Sequence, residues 1–359
     1  MHQLHALGWT PFFDAQFQPY QASGLVPARV MEEQRNSFRI ATTPDALHQA
    51  ELTGKLRRDA SLGSRIRPCT GDWVAAALPE HPGGLALIHH VLERRTCFSR
   101  QEAGTRTAEQ VVAANVDTVF LVQSLNQNFN VRRIERYLAL LWESGAEPVV
   151  VLSKADVCAD PAPRVEEAER AARGVSVLTV SAVREGGVEP LRPYLATGRT
   201  VALVGSSGVG KSTLVNALMG EELMDVQGIR EDGRGRHTTT SRHLVALPSG
   251  GLLLDTPGMR TVLLWAGEEG IARTFDDVDA VAKRCRFRDC THRSEPGCAV
   301  REALESGELD RDRMRSYEKL EREARHHAAK VDPKVRRELQ RQWRAIHLEA
   351  RRRPDKRAF

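Results

Sequence analysis

The sequence has no long apolar run. None of its hydrophobic stretches approaches about 18 residues, so a membrane-spanning helix is excluded. Residues 1–17 lack a basic stretch followed by an apolar core, and we therefore expect no secretory signal. Cysteine is scarce, with six in 359 residues, and three of the six fall within 14 residues. This clustering favours a metal site over a disulfide framework and indicates a reducing compartment. We expect a cytoplasmic protein with no membrane partner.

Charge is unevenly distributed along the chain. Hydrophobic residues make up 41% and charged residues 28%, which is typical of a globular protein, and the length suggests two or three domains. The net charge is +5, but residues 311–359 contain 17 Lys or Arg against 8 Asp or Glu, a net of +9. Such a tail suggests a polyanionic partner, with nucleic acid as the leading candidate. The alternative is a solvated helix whose charges pair with one another.

The spacing of apolar residues divides the chain into four segments. Residues 1–34 resemble a short helical arm, and residues 35–103 contain short apolar runs separated by Gly, Pro and Asp. Those runs predict a small β-barrel, for which the OB-fold is one candidate and another small β-domain is the alternative. Residues 104–264 alternate between strands and helices, which predicts an α/β domain with a parallel sheet. Residues 265–359 carry the cysteine cluster and then become helical and basic.

The segment GSSGVGKST, residues 205–213, lies between an apolar run and a helical pattern. It matches the phosphate-binding loop G-x-x-x-x-G-K-[ST] in the strand-to-helix context that this motif needs. We expect Lys211 to reach the β- and γ-phosphates and Ser212 to be a ligand of Mg²⁺. The alternative is a glycine-rich turn that binds nothing. The predicted binding residues are Gly205, Ser206, Ser207, Gly208, Val209, Gly210, Lys211, Ser212 and Thr213.

The motif DTPG, residues 255–258, ends another apolar run 44 residues beyond Lys211. Asp255 is expected to hold the Mg²⁺ directly or through a water molecule. The backbone N–H of Gly258 is expected to meet the γ-phosphate. The motif is weak alone, but its position after a strand and at this distance from the phosphate loop makes it informative.

The segment SKAD, residues 153–156, resembles a guanine-specificity motif. The carboxylate of Asp156 can accept hydrogen bonds from both guanine N1–H and the 2-amino group, a donor pair that adenine lacks. The stem of Lys154 would lie along the base, and the backbone N–H of Ala182 would meet guanine O6. The pattern therefore predicts GTP rather than ATP. The predicted residues are Ser153, Lys154, Ala155, Asp156, Ser181 and Ala182.

The order of these motifs is unusual, because the guanine motifs precede the phosphate loop and DTPG comes last. A circular permutation explains this order, since domain termini often lie close together and a re-cut chain can keep its site. The segment after DTPG then leads directly into the C-terminal domain.

The segment GRGRHTTTSRH, residues 233–243, lies between the phosphate loop and DTPG. A threonine there can coordinate Mg²⁺ and contact the γ-phosphate, and Thr238, Thr239 and Thr240 are the candidates. Residue 259 is Met, where many signalling GTPases carry a water-orienting Gln. We therefore predict His237 as the group that positions water, the alternative being an exposed residue or an RNA contact. The predicted catalytic residues are His237, Lys211, Thr239 and Thr240.

The segment CRFRDCTHRSEPGC supplies four metal-ligand side chains spaced C-x4-C-x-H-x5-C. Three thiolates and one imidazole complete a tetrahedral zinc shell with no open position, so the predicted site is structural. The alternative is unrelated buried cysteines. The predicted ligands are Cys285, Cys290, His292 and Cys298.

Taken together, the permuted motifs, the HTTT segment, the preceding barrel and the Cys3His spacing resemble the RsgA (YjeQ) GTPases over about residues 35–330. The resemblance implies an OB-fold, a circularly permuted GTPase domain and a zinc-binding domain. It also implies GTP hydrolysis stimulated by the small ribosomal subunit, whose late maturation these proteins assist, and contact with its rRNA. Ser153 departs from the more frequent Asn. We expect GTP or GDP, Mg²⁺ and one Zn²⁺ as ligands and a monomeric chain.

Three functional hypotheses follow. The first is a GTP hydrolase that binds ribosomal RNA and leaves after hydrolysis. The second is a GTP-gated RNA-binding checkpoint whose hydrolysis is incidental. The third, an ATP-driven remodeller of nucleic acid, is disfavoured by SKAD.

Overall fold

The structure, a computed structural model, describes residues 2–34, 37–62, 66–81, 83–101, 109–220, 242–255 and 267–331, with Lys334, Val335 and Arg337. The chain divides into two compact units. One consists of residues 1–100 and 110–264, and the other of residues 101–109 and 265–359. Among the described residues, no helix is both long and apolar enough to cross a membrane.

Five strands of the first unit close into a barrel. Strand β1 pairs with β2 and β4, and the ring is completed by β2–β3, β3–β5 and β5–β4, of which only β3–β5 is parallel. This is a five-stranded barrel of the OB type, so the predicted small β-barrel is confirmed. Its strands are β1 (Val26–Glu33), β2 (Phe38–Thr43), β3 (Ala46–Leu52), β4 (Trp73–Ala77) and β5 (Ala86–Val91), with helix α3 (Gly54–Ser61) between β3 and β4.

The N-terminal segment differs from its prediction. Helices α1 (His2–Ala6) and α2 (Pro11–Gln21) are present, but the expectation of a helical arm up to residue 34 is wrong because β1 occupies residues 26–33. Only the valines of VPARVMEE favour a strand, and the strand is fixed by its pairing with β2 and β4 and by Ala28 and Val30 in the barrel core. Helix α2 packs Phe13 and Phe17 with Trp73 of the barrel, so the arm is part of the first unit. The bounds of the four predicted segments stay predictions.

The α/β part of the first unit is a six-stranded sheet in the order β10-β9-β8-β11-β13-β12. The first five strands are parallel and β12 is antiparallel to β13. The elements are β8 (Thr118–Ser124), α4 (Val131–Trp142), β9 (Glu147–Ser153), α5 (Ala162–Ala171), β10 (Val177–Thr179), β11 (Thr200–Val204), α6 (Lys211–Met219), β12 (Arg242–Ala246) and β13 (Leu252–Asp255). Strands β6 (Cys97–Gln101) and β7 (Glu109–Ala114) form a separate pair before it.

Apolar side chains cover both faces of this sheet. Along β8, Val119 and Leu121 belong to the core under α4 and α5, whereas Phe120 and Val122 belong to the core under α6. A strand that is buried on both faces has a continuous apolar sequence, because neither face is exposed to water. The segment TVFLVQ has this pattern. The predicted α/β class is confirmed.

The second unit is helical, as predicted. Its helices are α7 (Glu268–Thr274), α8 (Asp276–Ala282), α9 (Ala299–Ser306) and α10 (Arg311–Val331). Arg313 links α10 to α7 and α8. Its guanidinium donates two hydrogen bonds to the carboxylate of Asp277, at 2.7 and 2.9 Å, and another to the carbonyl of Thr274 at 2.8 Å. The guanidinium also lies over the ring of Phe275.

A buried arginine joins the barrel to the α/β sheet. Arg29 of β1 is only 2% exposed, and its guanidinium donates to the carbonyls of Leu7, Gly71 and Asn115 and packs on the ring of Trp73. Burial lowers the pKa of Arg29 to about 10, so the group stays charged at neutral pH. In addition, β12 pairs with β1, which continues the sheet into the barrel.

We predict that Arg29→Met lowers the free energy of unfolding by about 3 kcal/mol, because it leaves three carbonyls without their donor. The measurement is chemical denaturation of the full chain. The matched control is Arg57→Met, since Arg57 is exposed and its pairing with Glu51 is worth less than about 1 kcal/mol. Equal stability of the two variants would contradict this account.

Candidate functional site

The parallel strands carry the predicted motifs to one edge of the sheet. The phosphate loop follows β11, SKAD lies at the carboxyl end of β9, and the Ser181–Ala182 pair follows β10. Asp255, the first residue of DTPG, ends β13. The register aligns these ends directly: Ser124 pairs with Ser153, and Leu121 with Val204. Ligands of open α/β sheets bind at this edge, so motifs up to about 100 residues apart in sequence can form one site.

The phosphate loop has a backbone that requires glycine. Gly205 has φ +149°, and a Cβ atom there would lie 2.3 Å from the carbonyl oxygen of Val122. Gly210 has φ +92° and immediately precedes α6. Val209 anchors the loop in the core, whereas Ser207 and Gly208 are exposed at its tip. The backbone therefore leads over an open tip into the N-terminus of α6, the arrangement that binds phosphate in this motif.

Lys211 lies over the loop that it follows. Its ammonium donates to the carbonyls of Gly205 at 2.8 Å and Ser206 at 2.6 Å. Ser212 and Thr213 occupy the next positions of the first turn of α6 and are half-buried.

The SKAD loop is tied to the phosphate loop. The buried hydroxyl of Ser153 lies 2.6 Å from the carbonyl oxygen of Val209, to which it donates, and 3.2 Å from that of Gln123. Lys154 adopts a left-handed conformation, with φ +61°, and its ammonium donates to the carbonyl of Gly208 at 2.7 Å. The backbone N–H of Ala155 donates to Val180 at 3.2 Å. Serine at position 153 thus links the two loops in spite of its short side chain.

Asp156 is oriented by the other guanine-motif segment. The hydroxyl of Ser181 donates to Oδ1 of Asp156 at 2.7 Å, and the backbone N–H of Ser181 donates to Gly187 at 3.0 Å. Ala182 follows and is half-buried. The sequence predicts a role for the backbone of Ala182, but the hydroxyl contact of Ser181 escaped it, because side-chain pairing across 25 residues leaves no spacing signal.

Several predicted residues lie outside the described part of the chain: His237, Thr238, Thr239, Thr240, Gly258 and Met259. Their predicted roles stay predictions. Asp255 ends β13, and its backbone pairs with His243. Strand β13 is the parallel neighbour of β11, which leads into the phosphate loop, so the Asp255 backbone is at the same edge of the sheet.

The second unit holds the predicted metal ligands together. The ligand atoms of Cys285, Cys290, His292 and Cys298 all lie within 4.8 Å of one another. The Sγ atoms of Cys285 and Cys298 are 4.0 Å apart, and both lie 3.5–3.6 Å from Nδ1 of His292. A tetrahedral zinc ion with Zn–S near 2.3 Å and Zn–N near 2.0 Å requires ligand separations of roughly 3.5–3.8 Å. The donor set and the spacing therefore fit zinc.

Two backbone donors favour the thiolate form of one ligand. Partial burial raises the pKa of Cys285, but hydrogen bonds from the backbone N–H groups of Val300 and Ala299, together with those from Cys290 and Cys298, lower it, and the pKa lies below its ordinary value. Both donors belong to the N-terminus of α9, where backbone N–H groups attract negative charge.

Comparison with known proteins identifies the family. The family model described as RsgA GTPase matches residues 91–265. A protein of Opitutus terrae named small ribosomal subunit biogenesis GTPase RsgA is 47% identical over 353 residues, covering 96% of both chains. One of the same name from Streptomyces avermitilis is 44% identical, covering 95% of this chain and 91% of its own. The chain belongs to the RsgA GTPase family.

Solved structures agree with this assignment. YjeQ from Thermotoga maritima is 28% identical and superimposes with a TM-score of 0.63, covering 84% of this chain and 98% of its own. YloQ, described as a circularly permuted GTPase, has the same fold at a TM-score of 0.60. A second family model, described as 50S ribosome-binding GTPase, matches residues 200–339. This RsgA-family chain is therefore a GTPase, and the predicted permutation is confirmed.

The Cys3His cluster of this RsgA-family chain has an organising residue that the spacing motif did not indicate. The carboxylate of Glu295 accepts hydrogen bonds from the backbone N–H groups of Thr291, Arg293 and Ser294, at 2.9–3.0 Å. Hydrogen bonds from the hydroxyl and backbone N–H of Thr291 hold the pKa of Glu295 well below its usual range. This carboxylate shapes the loop between the second and fourth metal ligands.

We predict that Cys290→Ala abolishes stoichiometric zinc binding and lowers the melting temperature of the zinc-bearing unit, because the binding energy of such a site is folding energy. Basal GTP hydrolysis should survive, since the phosphate loop belongs to the other unit. Metal analysis and thermal melts test this. Cys158→Ala, outside the cluster, is the control and should retain zinc. Loss of zinc without loss of thermal stability would contradict a structural role.

Proposed function

We propose that this protein is a GTP hydrolase that binds the small ribosomal subunit through its rRNA and assists late maturation, with hydrolysis stimulated by the subunit and coupled to release. The GTPase class follows from the family, and the relatives in Opitutus and Streptomyces are named for small-subunit biogenesis.

The observation that carries the proposal is the chain of contacts that unites the two nucleotide loops. Ser181 holds Asp156, Ser153 holds Val209, and Lys154 lies on Gly208. The carboxylate of Asp156 and the phosphate loop would accordingly be held in place relative to each other before GTP binds. Asp156 would accept from guanine N1–H and the 2-amino group, and the backbone N–H groups of residues 206–211 would receive the phosphates.

We propose that Ser212 and Asp255 hold Mg²⁺ at this edge. Ser212 is the second residue of α6, after Lys211, and Asp255 ends the strand next to the phosphate-loop strand. A hydroxyl and a carboxylate are hard ligands that suit Mg²⁺, which bridges phosphates and offsets their charge when bound. Thr239 or Thr240 and Gly258 are proposed to complete the γ-phosphate environment, and His237 to position water.

The basic C-terminal region is the proposed contact with rRNA. Helix α10 carries arginines that are exposed, such as Arg315, and the sequence beyond it is more basic still. Lysine and arginine in such a density attract phosphate and make binding salt-dependent. The Cys3His cluster would hold one structural Zn²⁺ in this unit, since four ligands leave no open position. We propose a monomer that acts in the cytoplasm.

The competing function is a GTP-gated RNA-binding checkpoint whose hydrolysis is incidental. Both functions use the same nucleotide site, but they differ in whether the partner accelerates turnover. Met259, in place of a water-orienting glutamine, favours slow hydrolysis by the isolated chain.

The deciding experiment measures GTP turnover with and without purified small ribosomal subunits. We expect acceleration of at least about tenfold with small subunits and none with large subunits as the control. Binding of small subunits without acceleration would favour the checkpoint, and acceleration by large subunits alone would contradict the proposed partner.

We predict that Asp156→Asn weakens GTP binding by about 1 kcal/mol or more, because an acceptor-only carboxylate is replaced by a group that also donates. Calorimetric titration of GTP measures the change. Glu166→Gln is the matched control, since Glu166 is exposed on α5 and the substitution removes the same charge. Unchanged binding in Asp156→Asn would remove this residue from the base site.

A further inference from the structure

A third cation lies at the phosphate loop beside Lys211 and Lys154. The guanidinium of Arg133, in the first turn of α4, donates through Nη1 to the hydroxyl of Ser206 at 3.1 Å and to the carbonyl of Asn128 at 3.3 Å. No motif predicts this contact, because 73 residues separate the two partners.

Hydrogen bonds hold the first turn of α4 and the turn before it, and they limit the positions that the Arg133 guanidinium can occupy. Asn130 caps the helix by accepting a hydrogen bond from the backbone N–H of Arg133 at 3.0 Å. The preceding turn is held by Asn126, whose side-chain oxygen accepts from the hydroxyl of Ser124 and from the backbone N–H of Asn128, at 2.7 and 2.9 Å. The backbone that carries Arg133 is therefore held in a fixed position after the end of β8.

The charge of Arg133 has no carboxylate partner in the part of the chain that the structure describes. Its side-chain hydrogen bonds go to one hydroxyl and one carbonyl, both neutral acceptors. The neighbouring Arg132, in contrast, is paired with Glu135 at 2.6 Å. A half-buried guanidinium that meets only neutral acceptors keeps its electrostatic attraction available for an anion.

The position of Lys211 indicates which part of the nucleotide Arg133 faces. The ammonium of Lys211 binds the carbonyl of Ser206, and the guanidinium of Arg133 binds the hydroxyl of the same residue. Lysine at this place in the motif serves the β- and γ-phosphates. Lys154 instead contacts Gly208, on the side of the SKAD loop. Arg133 and Lys211 thus converge where the terminal phosphates of GTP belong.

We infer that Arg133 is an additional catalytic residue, a built-in arginine that leaves Ser206 and contacts the terminal phosphates of GTP during hydrolysis. In this reaction, a water oxygen bonds to the γ-phosphorus while the bond from that phosphorus to the β–γ bridging oxygen breaks. The products are GDP, inorganic phosphate and one proton released to solvent. Arg133 exchanges no proton and stabilises the negative charge that develops on the phosphate oxygens. The inference rests on the proposed nucleotide site and adds a residue to it.

The test compares Arg133→Met with wild type in three measurements: single-turnover GTP hydrolysis, GDP affinity, and affinity for GDP with aluminium fluoride, which mimics the phosphoryl group in transfer. Arg170→Met is the control, since Arg170 is exposed on α5 and the substitution removes the same charge. We expect Arg133→Met to slow hydrolysis by about 10²-fold or more and to lose aluminium fluoride binding. GDP affinity should stay within about threefold of wild type.

Two results would overturn the inference. An unchanged rate and unchanged aluminium fluoride binding would exclude contact with the phosphates. An equal loss of affinity for GDP and for GDP with aluminium fluoride would mean that Arg133 only braces the loop through Ser206. In both cases wild-type hydrolysis would remain intact, whereas failure of the wild type to hydrolyse GTP would overturn the proposed function itself.

Discussion

The parallel hydrogen-bond register of β9, β8, β11 and β13 is the constraint on which the site depends. In a parallel sheet, all carboxyl ends meet at one edge, whatever the order in which the chain visits the strands. The order here is permuted, with the guanine motifs before the phosphate loop. The phosphate-loop strand β11 nevertheless pairs with β8 through Val204 and Leu121, and β8 pairs with β9 through Ser124 and Ser153. Permutation therefore changes the connections between loops without moving the loops. Strand β12, which leads into β13, pairs with β1 of the barrel.

The SKAD loop and the phosphate loop are held together by short polar contacts, although position 153 carries serine and not the larger asparagine. Ser153 stands where asparagine is more frequent in this motif, and its hydroxyl has one proton to donate, which the 2.6 Å contact with Val209 uses. Lys154 adds a second tie to Gly208, and Ser181 restricts Asp156. The SKAD loop is thus preorganised by three side chains: Ser153 and Lys154 bind the phosphate loop, and Ser181 binds Asp156.

The sequence predicted those parts of the fold and site that local pattern determines. Continuous apolar runs indicated the buried strands, glycine spacing indicated the phosphate loop, and the ligand spacing indicated the Cys3His cluster. The sequence pattern could not predict contacts between residues that lie far apart in the chain. Arg29 donates to Asn115 across 86 residues, and Arg133 to Ser206 across 73, and neither pair has a periodicity or spacing to detect. Strand β1 was missed because its pairing with β2, β4 and β12 overrides a weak local preference.

The central claim is that Asp156, held by Ser181 beside the phosphate loop, makes this edge of the sheet a guanine-nucleotide site. Calorimetric titration of the wild-type chain with GDP, inosine diphosphate and ADP tests it most directly. Inosine diphosphate keeps the N1–H donor but lacks the 2-amino group, and ADP lacks both. The account predicts that GDP binds most tightly, that inosine diphosphate is weaker, and that ADP is weaker than GDP by about 10²-fold or more. Binding of ADP within about threefold of GDP would contradict it.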